Sequence, residues 1–253
     1  MSNIDKLTIG FWALVFSGAL MVTAFRAGST HATVVNFSSY SAGSERKQAF
    51  FEYFVPIIEQ ENESIRKERM FVTQASLKAD SLSWFAKRKV NKIANKYRVE
   101  PFDYASAKDW TALLDRVDEI PPALALAQAA NESAWGTSRF AVEAKNYFGQ
   151  WCFSKGCGLV PKARDAGKAH EVAVFDTPAE SVASYMRNLN RHSSYSTLRE
   201  IRLKYRDGNM PLTGEALAQG LVKYSERGPA YVEELISMIR FNKLEQYALK
   251  TRS

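Results

Sequence analysis

Residues 131–149, NESAWGTSRFAVEAKNYFG, open with a carboxylate, Glu132, at the end of the small and apolar run that precedes them. Gln128 lies one turn earlier, on the same face of any helix that runs through both residues. Apolar neighbours, a nearby tryptophan and the negative end of a helix all disfavour the ionised form of such a carboxyl, so its pKa should be raised. A carboxyl that holds its proton near neutrality can donate it to a leaving oxygen, as the acid of a glycosidase must. An ordinary surface glutamate at a helix end is the plainer alternative. Aromatic side chains follow closely, and the apolar faces of sugar rings can lie on such rings while their hydroxyls seek polar edges. Trp135, Phe148 and Trp151, with Gln128 and Asn146, therefore form a candidate substrate-binding set. A turn-forming Asn146 and core aromatics compete with that assignment.

The elements that must position Glu132 are helical. Pro121-Pro122 opens PPALALAQAANESAW, a helix apolar enough to be buried on most sides, and Gly136 should stop it. Thr137 or Ser138 can then cap the helix RFAVEAK. Upstream, apolar Phe50, Phe54, Ile57 and Ile58 predict a long helix from Ser44, with Pro56 as a point of kinking. A second helix is expected over Ser81–Tyr97, with Leu82, Phe85, Ile93 and Tyr97 on one side and a lysine-rich face elsewhere. WTALLDRVDEI reads as a short amphipathic helix. Downstream, glycines and a proline punctuate a non-helical region that contains HEVAVF, one strand of a small hairpin. Helix resumes at TPAESVASYMRNL, where Thr177 caps, Pro178 sits first and Glu180 completes a capping box, followed by TGEALAQGLVKY and AYVEELISMIRFNKL.

Length and composition bound the rest. The 253 residues suit one main domain with an extension, and 46% apolar with 24% charged residues excludes global disorder. Thirty-four Lys plus Arg against 27 Asp plus Glu give a formal +7, which favours an anionic partner. The basic helical face reads as solvated surface, and no base-reading motif points to nucleic acid. Residues 7–25 carry no charge and are long enough to cross a membrane, so a signal anchor or cleaved signal peptide is expected over 1–26, then a flexible linker over 27–43. Export makes a disulfide between Cys152 and Cys157 the favoured state, with two free thiols as the alternative. The three histidines are scattered, so neither a metal site nor a cofactor is expected.

The run Ala127, Gln128, Ala129, Glu132, Ser133, Trp135, Gly136, Thr137, Ser138, Asn146, Phe148 and Gly149 resembles the signature of the bacterial glucosaminidase family of cell-wall hydrolases, glycoside hydrolase family 73. The likeness covers roughly residues 105–245, and RKQAFFEYFVPIIEQENESI with LDRVDEIPPALALAQAA resembles the Bax-type branch in particular. The resemblance implies an α+β, mainly α, lysozyme-like domain over 105–248 with a small β-hairpin lobe, preceded by a helical extension over 44–104. It further implies cleavage of the β-1,4 bond after N-acetylglucosamine in peptidoglycan, hence a place in the extracytoplasmic envelope, where an uncleaved anchor over residues 7–25 would tether the protein to the inner membrane. By the same match Glu132 is the general acid and Tyr224 an active-site tyrosine, a core tyrosine being the alternative at 224. A second carboxylate, present in some relatives, is missing from GCGLVPKAR; Glu171 and Asp165 are the nearest candidates, whereas Glu180 is explained by capping. Lacking that partner, the substrate's acetamido oxygen could serve as nucleophile. A non-catalytic wall-binding scaffold and a lytic transglycosylase are the competing functions, the latter weakened by the absence of a Gly-Leu-Met-Gln sequence.

Overall fold

A computed structural model describes residues 34–161 and 170–249, which fall within a compact unit spanning Thr33–Ser253. Helix α1 (Ser44–Ser76) runs through Pro56 without ending. It buries Phe50, Phe54, Ile58, Ile65 and Val72, a stripe at helical spacing. Residues 44–104 thus contribute to the same core as the rest rather than lying beside it. The turn after α1 leads into α2 (Trp84–Lys96), which starts three residues later than expected because the Ser83 hydroxyl caps it, accepting from the Ala86 amide at 3.3 Å. Phe85, expected on the apolar side of α2, is instead exposed.

Helices α3 (Ala107–Arg116) and α4 (Pro122–Ser133) follow, and α4 is the hub. It is packed by α1, by α8 (Gly214–Ala218), by α9 (Pro229–Phe241) and by the 3-10 turn Leu244–Gln246. Its alanines permit that close approach, and every residue from Pro122 to Ala130 is buried. Upstream of α4, Asn62 of α1 donates to the Ile120 carbonyl at 2.8 Å and accepts from its amide at 3.0 Å, fixing where the helix begins. Helices α5 (Arg139–Ala144), α6 (Pro178–Arg191) and α7 (Ser196–Asp207) complete the helical part. Ser138 caps α5, and Thr177 caps α6 by accepting from the Glu180 amide at 3.2 Å.

The β-lobe is a three-stranded antiparallel sheet rather than a hairpin. Strands β1 (Trp151–Cys152) and β2 (Gly158–Leu159) flank β3 (Glu171–Ala173) in the order β1-β3-β2. Trp151 pairs with Val172 and Gly158 with Ala173. Among the described residues no helix is long and apolar enough to cross a membrane, and the apolar stretch 7–25 lies outside them. The expected flexible linker fails from Phe37 onward. That ring is fully buried, 5.1 Å from Phe50 and 6.1 Å from Phe54, because the 3-10 turn Phe37–Ser39 folds onto α1.

Phe37 also explains Gly136. Helix α4 ends at Ser133, and Ala134, Trp135 and Gly136 all have positive φ, so the reversal begins before the glycine expected to cause it. The Ser133 hydroxyl supports the turn, donating to the Ala129 carbonyl at 2.5 Å and accepting from the Gly136 amide at 2.8 Å. A Cβ on Gly136 would lie 2.2 Å from Cδ2 of Phe37, and the backbone φ of +76° is unfavourable to any side chain. Gly136→Ala should therefore destabilise the fold by at least about 2 kcal/mol, read from chemical denaturation. Combined with Phe37→Ala, its cost should be markedly less than additive; strict additivity would show that the two residues do not press on each other.

Candidate active site

Glu132 stands in the last turn of α4, partly buried. Its Oε1 accepts from the Tyr231 hydroxyl at 2.8 Å. Its Oε2 faces Gly149, where an added Cβ would lie 3.6 Å away, so a side chain at 149 would narrow the space in front of the acid. Behind Glu132 the hydrogen bonds run in one direction. Tyr185 donates to Oε1 of Gln128 at 2.5 Å, and Nε2 of Gln128 donates to the Tyr231 hydroxyl at 2.9 Å. Because that hydroxyl already accepts from an amide, which cannot itself accept, its own hydrogen points at Glu132. Oε1 is thereby committed as an acceptor, and a proton on this carboxyl resides on Oε2.

Burial raises the Glu132 pKa above the ordinary glutamate value. Hydrogen bonds from Tyr231 and Asn131 oppose that shift, and the charge of Glu234 adds to it. The surrounding phenols cannot act as bases near neutrality. Burial, reinforced by the charge of Glu132, pushes Tyr185, Tyr224 and Tyr231 well above the usual tyrosine range. Tyr195 is pushed up to about 12, by burial first, with Asn188 opposing and Glu132 adding. All four remain neutral donors around one carboxyl. Tyr224 stacks flat on Tyr231, with centroids 5.4 Å apart and planes 5° from parallel, and donates to the Phe148 carbonyl at 3.0 Å.

The residues expected to bind substrate separate into distinct places. Gln128 is fully buried and both ends of its amide are held by tyrosines, so it supports the site from beneath. Trp135 turns away towards α1, its ring 5.8 Å from Phe50 and 5.5 Å from Phe51, with the Lys47 ammonium 4.9 Å from its centre. Asn146 is a loop latch: its amide nitrogen donates to the carbonyls of Gln150 and Ala173 at 2.9 Å each, and its oxygen accepts from the amides of Phe148 and Gln150. Those four bonds exhaust the side chain. Phe148 is buried and stacked on Tyr185 at 4.0 Å. Trp151 alone of the set offers its ring, 58% exposed and stacked at 4.2 Å on His170. Two residues after Gly149, it begins the sheet beside the acid.

Glu171, the candidate second carboxylate, is engaged by the backbone of the β-lobe. It is buried in β3 and accepts from the amides of Gly156 and Gly158 at 3.0 and 2.8 Å. It closes the loop that the Cys152–Cys157 disulfide also closes. The two sulfurs lie near Glu171 but, joined to each other, offer no thiolate to a metal. Asp165 lies outside the described residues. Sequence reasoning missed Tyr231. It shares a buried stripe of α9 with Leu235 and Ile239, and a phenol on such a stripe needs a polar partner, which is the signal that could have found it.

The pKa shift fixes a pH dependence. A carboxyl whose folded pKa is raised gives up stability as pH climbs from the ordinary glutamate value through the folded one. Glu132→Gln should therefore be more stable than the parent near neutrality, with the gap closing as pH falls below the ordinary glutamate value. Tyr231→Phe removes a donor that favours the carboxylate, so the Glu132 pKa should rise further in a carbon-detected titration. The same substitution leaves the Gln128 amide without its acceptor, at a cost of about 1–3 kcal/mol. An unchanged or lowered Glu132 pKa would break the assigned direction of the bond.

Comparison with known proteins identifies the family. The family model described as mannosyl-glycoprotein endo-beta-N-acetylglucosaminidase matches residues 107–244, from α3 through α9. Protein bax of Escherichia coli (strain K12) is 31% identical over 217 residues, covering 86% of this chain and 77% of that protein. No solved structure matches significantly. With the matched segment carrying Glu132, the tyrosines around it and the β-lobe, the chain belongs to the glucosaminidase family, in its Bax-type branch.

Proposed function

We propose that the protein is a peptidoglycan hydrolase of the extracytoplasmic envelope that cleaves the β-1,4 bond after N-acetylglucosamine, with Glu132 as general acid. The observation that carries this reading is a carboxyl in the last turn of α4 whose inner oxygen is held by Tyr231 and whose outer oxygen lies beside Gly149, with burial raising its pKa. The outer oxygen donates its proton to the departing 4-oxygen as the C1–O4 bond breaks. With Glu171 committed to Gly156 and Gly158, the substrate's acetamido oxygen closes on C1 and forms a cyclic intermediate. Water then opens it, and the Glu132 carboxylate takes back a proton. Tyr231, held neutral, stabilises the carboxylate phase by donating to Oε1, and Tyr224, stacked flat on it, holds its ring in place. The exposed Trp151 ring is a platform for a sugar face.

A single working acid also suits lytic transglycosylation, in which the product carries an anhydro end instead of a reducing one. Digestion of purified peptidoglycan and analysis of the new ends separates the two: reducing N-acetylglucosamine supports the proposal, and anhydro-muramic ends transfer the protein to the other class. Glu132→Gln should lower turnover by about 10²–10⁴-fold while retaining binding to the polymer. Glu171→Gln should lower it less than about tenfold, since its task is to hold a loop. Equal losses in the two variants would make Glu171 the second catalytic carboxylate, and undiminished turnover by Glu132→Gln would leave a wall-binding scaffold.

A further inference from the structure

The hairpin formed by α1, the turn after it and α2 carries an exposed surface that the catalytic reading does not use. At its tip Leu77 is 81% exposed, Trp84 64% and Phe85 77%. Large apolar side chains left open together at one end of a hairpin mark an interaction surface. The charge around them is one-sided. Residues 77–99 hold seven cations against a single carboxylate, Asp80, so nearly all of the chain's formal +7 arises in this short segment. Helix α2 alone carries five cations and no carboxylate, and only Lys96 among them is ion-paired among the described residues, with Glu68. Three others are held beside rings: Lys87 lies 5.3 Å from the centre of Tyr104, Arg88 5.5 Å from that of Trp84, and Lys89 4.0 Å from that of Phe71.

We infer that this hairpin tip docks on the surface of an anionic lipid bilayer. Leu77, Trp84 and Phe85 would enter the boundary between headgroups and acyl chains, and the lysines and arginine of α2 would face the negative headgroups. A wall polymer is the other anionic surface available, and the geometry favours it less. Trp84 and Phe85 meet edge to face, at 82°, and Arg88 covers Trp84, so the pair offers no flat platform for a sugar ring. Leu77 has no role in sugar stacking and a direct one in hydrocarbon. The tip is also remote from the acid. Phe51, which touches Trp135, and Leu77 are separated along α1 by 26 residues, roughly 40 Å at the helical rise. A docked tip would leave Glu132 projecting away from the lipid surface.

The test uses residues 33–253, one compact unit that carries the buried core of the described residues without the apolar stretch 7–25. Sedimentation with vesicles of phosphatidylcholine and phosphatidylglycerol should show binding that weakens with added salt and is absent from phosphatidylcholine alone. Replacing Trp84 and Phe85 by Ser, or separately Lys87, Arg88, Lys89 and Lys92 by Gln, should reduce that binding by at least about tenfold. Both variants alter exposed side chains, so circular dichroism and clearing of soluble peptidoglycan fragments should match the parent. Absence of binding to the anionic vesicles, or binding that survives both variants, overturns the inference. If the variants instead lose binding to insoluble peptidoglycan while vesicle binding is absent, the surface belongs to the wall polymer.

Discussion

Helix α4 is buried along nearly its whole length, and the carboxyl at its end is desolvated by the packing that makes the helix a hub. An ionised carboxylate placed there loses several kcal/mol of hydration, whereas a hydrogen bond to a charged acceptor returns about 1.5–3 kcal/mol. Desolvation therefore outweighs Tyr231 and Asn131, and the carboxyl's pKa is raised above the ordinary glutamate value. The buried polar atoms behind Glu132 must also be paired, which is why Gln128, Tyr185 and Tyr231 form a connected file rather than three separate contacts. Packing thus determines both the direction in which the carboxyl's pKa moves and the oxygen left to carry a proton.

A second buried carboxylate, just before the other end of α4, shows the opposite outcome. Burial pushes Asp118 up, but Arg202, Arg69 and Arg206 outweigh it and hold the carboxyl below its ordinary range. Arg202 is itself buried and ties the same region together, donating to the backbone carbonyls of Asp118 and Glu119 at 3.1 and 3.2 Å and to Asn190 at 2.6 Å. One carboxylate sits among guanidinium groups and its pKa is lowered; the other sits among phenols and its pKa is raised. The difference follows from the partners, since both side chains are withdrawn from water.

The helices were legible because their caps and apolar spacing are local: Thr177, Pro178 and Glu180 mark the start of α6 without reference to the rest of the chain. The raised pKa of Glu132 was legible from its apolar context, but the contacts of its neighbours were not. Trp135, Asn146 and Phe148 have residue types that suit a sugar, yet long-range packing assigns them to α1, to the latch on β3 and to Tyr185. Tyr231 and Glu132 are 99 residues apart, a separation over which no local pattern reports contact. The same limit hid Phe37, whose surroundings in sequence have the composition of a tether while its ring fills the turn after α4.

The region matched by the family model begins at residue 107, but two of its signature residues are completed by side chains outside it. Trp135 rests on Phe50 and Phe51, and Gly136 has no side chain because Phe37 occupies that space. Both contacts brace the left-handed turn that ends α4 immediately after Glu132. Without α1 and the turn before it, the indole would face water and three consecutive positive-φ residues would lose their main buttress. The helix preceding the matched region is therefore part of what aims the acid, and its far end is free to meet a surface about 40 Å away because its near end is already committed.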